Sequence, residues 1–133
     1  MADSKSNPEV DAYQFILEHI DSIPHLEALI LLWNSRPVGW TQPELASRLY
    51  VGHDQVGQII RDLVRLQFVQ EQAGAPPKFS YNPRSEEQNE VMQMVDNAYR
   101  RDLVRISTMV HSKASSSVRE FARAFRFRKD RES

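Results

Sequence analysis

Residues 41–83 read TQPELASRLYVGHDQVGQIIRDLVRLQFVQEQAGAPPKFSYNP, and this stretch determines the fold of the chain. Thr41 and Glu44 form a predicted capping box, in which the threonine hydroxyl accepts a backbone N–H and the glutamate side chain reaches back. After a break near Gly52, apolar residues recur every three or four positions, at Val56, Ile59, Ile60, Leu63, Val64 and Leu66. Only a helix buries residues of that spacing on one side. The stretch therefore predicts two short helices joined by a tight turn.

Two extended segments follow the second of these helices. Residues 68–72 read FVQEQ and residues 78–82 read KFSYN, and the AGAPP between them contains turn-forming glycine and prolines. A helix-turn-helix followed by a hairpin is the outline of a winged helix-turn-helix, with the second helix as the recognition helix and the hairpin as the wing. We predict a mainly α fold with a small β-hairpin.

Helical patterns lie on both sides of the winged stretch. A helix is predicted from Pro8 to about Ser22, and a further one precedes the first capping box. A second capping box, Ser85 to Gln88, opens a long helix that we expect to continue to about His111. The predicted parts are an N-terminal helix, the winged helix-turn-helix, a long helix and a basic C-terminal helical arm, at residues 1–22, 23–83, 84–111 and 112–133.

The spacing within the winged stretch resembles that of bacterial transcription regulators. The residues at matching positions are Gln42, Ala46, Val51, Val56 and Ile59, and the trailing hairpin is similar to that of the winged MarR-like group. The resemblance covers roughly residues 23–110 and implies that Ala46 lets the two helices cross closely. The group usually places glycine in the turn where this chain has Tyr50. The nearby Gly52 can adopt an unusual backbone conformation or cap the next helix.

The resemblance implies binding of double-stranded DNA, and the polar face of the second helix supplies candidate contacts. Gln55 and Gln58 could read adenine edges, and Arg61 could read guanine or contact phosphate. The candidate DNA-binding residues lie on this helix, on the wing and on the arm. They are His53, Gln55, Gln58, Arg61, Arg65, Lys78, Arg119, Arg123 and Arg126. Asp54 and Asp62 are expected on the same face, where they oppose phosphate. The alternative interpretation is an ordinary solvated helix face.

The net charge of −1 conceals a gradient along the chain. Residues 1–24 contain one basic and five acidic side chains, and residues 25–83 contain five of each. Residues 100–131 contain ten basic and three acidic side chains. The positive field therefore lies mainly outside the winged stretch, and we expect the arm to contact phosphate or an acidic partner. The alternative is a solvated helix whose phenylalanines dock on the domain.

The predicted long helix has more apolar surface than a small monomer needs. Its stripe indicates a homodimer, for which the candidate contacts are Val95, Tyr99, Leu103, Ile106 and Val110. The alternative is that the stripe is ordinary core. We predict a homodimeric DNA-binding transcription regulator. The competing hypothesis is a winged-helix module that binds another protein, through its C-terminal helices, and does not bind DNA.

Other classes of protein find little support in the sequence. The four histidines, at positions 19, 25, 53 and 111, lie far apart and form no recognised ligand pair. The four glycines are scattered, so there is no phosphate-binding glycine-rich loop. The sequence predicts no enzyme activity, metal or cofactor. The absence of cysteine, of an apolar leader and of a long aliphatic run predicts a cytoplasmic protein without membrane contact.

Overall fold

The computed structural model of the protein describes residues 8–112. Within them, the elements follow in the order α1, α2, α3, α4, β1, β2, α5, with bounds Pro8–His19, Ile23–Ser35, Gln42–Leu49, His53–Arg65, Val69–Gln72, Lys78–Tyr81 and Glu86–Arg101. A further helix, α6, occupies residues 103–112. The mainly helical winged architecture predicted from the sequence is confirmed.

The first capping box forms as the sequence predicts. The Thr41 amide donates to Glu44 Oε1 at 2.9 Å, and the Glu44 amide donates to Thr41 Oγ1 at 3.3 Å. The second box is half formed, because Ser85 Oγ accepts from the Gln88 amide whereas Gln88 Oε1 accepts from the amide of Arg84. Each box satisfies amides that would otherwise have no partner at a helix start.

The turn between α3 and α4 places its left-handed residue at Tyr50. Tyr50 has φ 59° and ψ 44°, and the amide of the next residue, Val51, donates to Ala46 at 3.1 Å. Gly52 has an ordinary extended conformation and is the N-cap of α4. Of the two roles considered for Gly52, the structure therefore shows the helix cap. The tyrosine side chain at this turn is 92% exposed.

The core joins the helices on both sides of the winged stretch. α1 packs on α5, and Ile16, Leu29, Leu63 and Met92 are fully buried. Aromatic rings complete the packing, with Trp33 edge-on to Tyr81 at 5.1 Å between ring centroids. Because edge-to-face pairs add to the stability from area burial, this contact helps to hold α2 against the wing.

The wing contains one more chain segment than the sequence indicates. β1 and β2 are antiparallel, with Val69 opposite Tyr81. Trp40 also pairs with Phe79, each amide donating to the other residue's carbonyl at 2.8 Å. The segment before α3 therefore attaches the base of the wing to the helix-turn-helix. A single residue in a bridge has no periodicity, so the sequence pattern does not reveal it.

The prediction of one continuous helix through His111 is wrong. α5 ends at Arg101, and Asp102 has a non-helical backbone with φ −132° and ψ 50°. Asp102 Oδ2 accepts from the Tyr13 hydroxyl at 2.9 Å, and the Asp102 carbonyl accepts from the Ile106 amide at 2.9 Å. Aspartate is suited to such a break because its side chain competes for nearby polar groups. The apolar spacing continues across the break, which is why periodicity missed it.

Within residues 8–112, no helix combines the length and apolar composition that a membrane span requires.

Candidate nucleic-acid interface

The N-terminal half of α4 is fastened to α3. Gln42 Nε2 donates to the carbonyl of His53 at 3.0 Å. Gly57 lies under the same glutamine, and a Cβ added there would sit 3.1 Å from Gln42 Nε2. A glycine on this face of a helix could admit either a phosphate or another helix. The structure places α3 against it, so the glycine permits close packing of the two helices.

The two faces of α4 divide as the spacing predicts. The apolar residues Val56, Ile59, Ile60 and Leu63 are buried. The candidate DNA-binding residues on this helix are all exposed: His53, Gln55, Gln58, Arg61 and Arg65. Asp54 is exposed beside them. The fold thus presents a continuous polar face on α4, with five of the nine candidate residues on it.

A hydrogen-bonded network links three of these candidates. Arg61 Nη2 donates to Gln58 Oε1 at 3.1 Å, and Gln58 Nε2 donates to Asp62 Oδ1 at 2.9 Å. Arg65 Nη1 lies 3.1 Å from the same carboxylate oxygen. Arg65 is 71% exposed, so this ion pair contributes little to stability. To contact DNA, these side chains would exchange bonds with one another for bonds with the nucleic acid.

Asp62 is not on the solvent face where the sequence placed it. Its side chain is only 16% exposed, and Oδ2 lies 2.8 Å from His25 Nε2 on α2. Burial raises the pKa of Asp62, but the hydrogen bonds from His25 and Gln58 and the nearby charge of Arg65 together outweigh burial and leave that pKa below its usual value. The carboxylate is therefore charged at neutral pH. His25 and Asp62 are 37 residues apart, so no local motif signals their contact.

The wing contributes Lys78, which is exposed on β2. Between α4 and the wing lies a groove of about 530 Å³ whose lining includes Arg61, Arg65, Glu71 and Pro77. Glu71 offsets part of the positive charge there. The remaining candidates, Arg119, Arg123 and Arg126, lie outside the described residues.

The five candidate dimer contacts occupy different environments. Val95, Ile106 and Val110 are buried in the chain's own core. Tyr99 is half-buried, and burial raises the pKa of its hydroxyl. Leu103 is 48% exposed, and its neighbour Val104 is 79% exposed. A second copy of the chain could contact this exposed apolar pair directly, whereas the three buried residues support α5 and α6 from within.

Sequence comparison gives no relatives, because no protein-family model and no curated protein matches the chain. Solved structures do match. RV1404 from Mycobacterium tuberculosis has TM-score 0.53 and 17% identity, covering 74% of this chain and 65% of that chain. MepR from Staphylococcus aureus, a transcription regulator of the multidrug efflux pump MepA, has TM-score 0.52 and 14% identity over 89% and 90% of the two chains.

A third match is described as a MarR family transcription regulator, with TM-score 0.52, 16% identity and coverage of 92% of this chain and 82% of that chain. A MepR variant bound to an oligodeoxyribonucleotide also matches, at 13% identity. The fold of this protein is therefore a MarR-like winged helix-turn-helix. At sequence identities this low, structural similarity establishes the fold alone. The activity has to be argued from the chemistry of the site.

Proposed function

We propose that the protein is a DNA-binding transcription regulator whose α4 enters the major groove and whose wing contacts the flanking backbone. The observation behind this proposal is the exposed polar face of α4, held between α3, α2 and the wing. A helix supported on its buried side offers a rigid reading surface, which direct base contacts require. A MepR variant of similar fold is bound to an oligodeoxyribonucleotide, which supports DNA binding as the function of this fold.

The distribution of charge suggests that different parts of the proposed regulator contact the bases and the phosphates. Residues 25–83 are neutral in sum, and Asp62 partly neutralises Arg65. Base reading is therefore assigned to Gln55, Gln58 and Arg61, while backbone contacts come from Lys78 and the arm. Phosphate contacts position a protein on the duplex, and base contacts provide specificity.

We further propose that the regulator acts as a homodimer through Leu103 and Val104, in line with the two-fold symmetry of many operators. Leu103 and Val104 are consecutive exposed apolar residues on α6, and they would form the centre of such an interface. Helix-turn-helix dimers place their two recognition helices about one turn of DNA apart, so the proposed interface would have to hold the two copies of α4 at that spacing.

One observation favours the competing protein-binding function. Tyr50 is 92% exposed and Val38 is 56% exposed, and both line one cavity with Trp40 and Arg48. Exposed tyrosine and arginine are enriched at the centres of protein interfaces. This surface lies at the turn of the helix-turn-helix, so a protein bound there would occupy the region beside the reading face.

We expect Gln55→Ala to reduce the preference for a selected DNA site over scrambled DNA by about 1–3 kcal/mol, the usual contribution of a side chain that reads a base edge. Lys78→Ala should weaken binding to both DNAs alike, because phosphate contacts have no sequence preference. Fluorescence anisotropy on a site obtained by selection from random duplexes measures both effects. Gln93→Ala, an exposed glutamine on α5, is the matched control and should change neither affinity. A Gln55→Ala variant that keeps the wild-type preference for the selected site over scrambled DNA would contradict the reading role of Gln55 on α4.

A further inference from the structure

Two side chains from around the start of α2 and one from α4 meet between these two helices. Asp21 comes from the connection between α1 and α2, His25 from the first turn of α2, and Asp62 from α4. One possible ligand atom of each, two carboxylate oxygens and an imidazole nitrogen, lies within 4.8 Å of the other two. Asp21 is exposed, whereas the His25 and Asp62 side chains are only 12% and 16% exposed.

We propose that Asp21, His25 and Asp62 form a binding site for a divalent transition-metal cation of the Zn²⁺ type, which joins α2 to the recognition helix. The ligand set is one imidazole nitrogen and two carboxylate oxygens. Zn²⁺ accepts such ligands at about 2.0–2.2 Å, usually with three protein ligands and a water where a site is open. The imidazole disfavours Ca²⁺ and Mg²⁺, which prefer oxygen ligands alone.

The geometry needs only small side-chain movements. Bonds of about 2.1 Å in a tetrahedral site place neighbouring ligand atoms roughly 3.4 Å apart. His25 Nε2 and Asp62 Oδ2 are 2.8 Å apart, so a cation between them would push them slightly outward. The exposed Asp21 would move inward to provide the third ligand. Its exposure also gives the cation a path from solvent and leaves room for a water on the fourth position.

A second hydrogen bond already orients the imidazole. His25 Nδ1 lies 2.6 Å from Ser22 Oγ, which also accepts from the His25 amide at 3.3 Å. Metal-binding histidines commonly donate their other ring N–H to an oxygen in this way. With the proton on Nδ1, the lone pair on Nε2 points at the site. Binding therefore displaces any proton on Nε2 and leaves Ser22 as the acceptor.

The proposed cation would also change the charge beside the reading face, a consequence that rests on the proposed DNA-binding function. Asp62 holds Gln58 and Arg65 through Oδ1 while Oδ2 faces His25. A divalent cation on Oδ2 neutralises the carboxylate and weakens its attraction for Arg65. Arg65 then becomes available to phosphate, and a negative charge that opposes DNA is lost. Metal binding should therefore increase DNA affinity.

The test uses the full chain, Co²⁺ as a spectroscopic probe and Zn²⁺ in equilibrium dialysis. We expect one ion per chain with a Kd below about 100 μM, which corresponds to roughly −5.5 kcal/mol, and visible absorption of four-coordinate Co²⁺ that Zn²⁺ abolishes. His25→Gln should eliminate the absorption, and Asp21→Asn should weaken binding at least tenfold. His19→Gln is the matched control, since His19 is an exposed histidine outside the cluster, and should bind as wild type does.

Circular dichroism tests whether each variant is folded. Because Asp21 is exposed, Asp21→Asn should stay folded and remains informative even if His25→Gln is unstable. Uptake of less than half an ion per chain at about 100 μM free metal, or uptake unchanged in Asp21→Asn and His25→Gln, would overturn the site. Anisotropy with DNA is a separate readout, with an expected gain of about fivefold or more in affinity on adding Zn²⁺. Metal uptake without DNA binding at any metal concentration would contradict the proposed function and leave the metal site standing.

Discussion

Ile106→Glu is expected to unfold the chain, whereas Leu103→Glu should leave it folded and convert the proposed dimer to a monomer. Ile106 is fully buried in the chain's own core, and burying an unpaired charge costs several kcal/mol, a large fraction of the stability of a small domain. Leu103 is 48% exposed, so a charge there remains solvated in the monomer. It would be desolvated only if a second chain covered it.

Thermal melts followed by circular dichroism and sedimentation equilibrium separate these two effects. Gln93→Glu adds the same charge at an exposed position on α5 and should alter neither the melting temperature nor the association state. A wild-type chain that stays monomeric at tens of micromolar, an order-of-magnitude limit for a useful dimer, would contradict the dimer. A folded, dimeric Leu103→Glu variant would place the interface elsewhere.

Replacing Arg119, Arg123 and Arg126 together by glutamine should weaken binding to every duplex without changing base preference. If each arginine neutralises one phosphate, the slope of log K against log salt should shrink by about 2.7 units, at roughly 0.9 per contact. That change corresponds to an affinity loss of more than 100-fold at about 0.1 M salt. Anisotropy titrations at several salt concentrations, on selected and scrambled DNA, provide the measurement.

The alternative role of the arm gives a different result in the same experiment. If residues 112–133 pack on the domain and do not contact DNA, the salt slope should be unchanged in the triple variant. Phe121→Ala would then lower the melting temperature with the salt slope intact. An unchanged slope together with a clear loss of stability would therefore refute the DNA role of the arm and assign it to packing.

Local signals explain why the winged stretch could be predicted from the sequence. The capping box at Thr41, the spacing of Val56 to Leu63 and the glycine and prolines between the strands each act within a few residues. The same signals predicted which side of α4 is exposed. For this reason the fold and the outline of the reading face follow from the sequence.

Tertiary contacts explain what the sequence could not predict. At the break between α5 and α6, Asp102 accepts a hydrogen bond from Tyr13, which is 89 residues away. Asp62 is largely shielded from solvent, where its side chain contacts His25 on α2. Trp40 joins the wing through a single bridge. None of these contacts leaves a periodic pattern or a motif in the chain. The cluster of Asp21, His25 and Asp62 was missed because Asp62 lies 37 residues beyond His25, although Asp21 and His25 are only four residues apart.

The most direct test of DNA binding by this protein is the salt dependence of wild-type binding to a selected duplex. We expect log K to fall linearly with log salt, with a slope of magnitude about 4 or more, which corresponds to at least four or five phosphate contacts. We also expect two chains on each duplex. Scrambled duplexes should show a similar slope with lower affinity. An absence of duplex binding at low salt, or binding that does not respond to salt, would contradict the claim that this protein is a DNA-binding regulator.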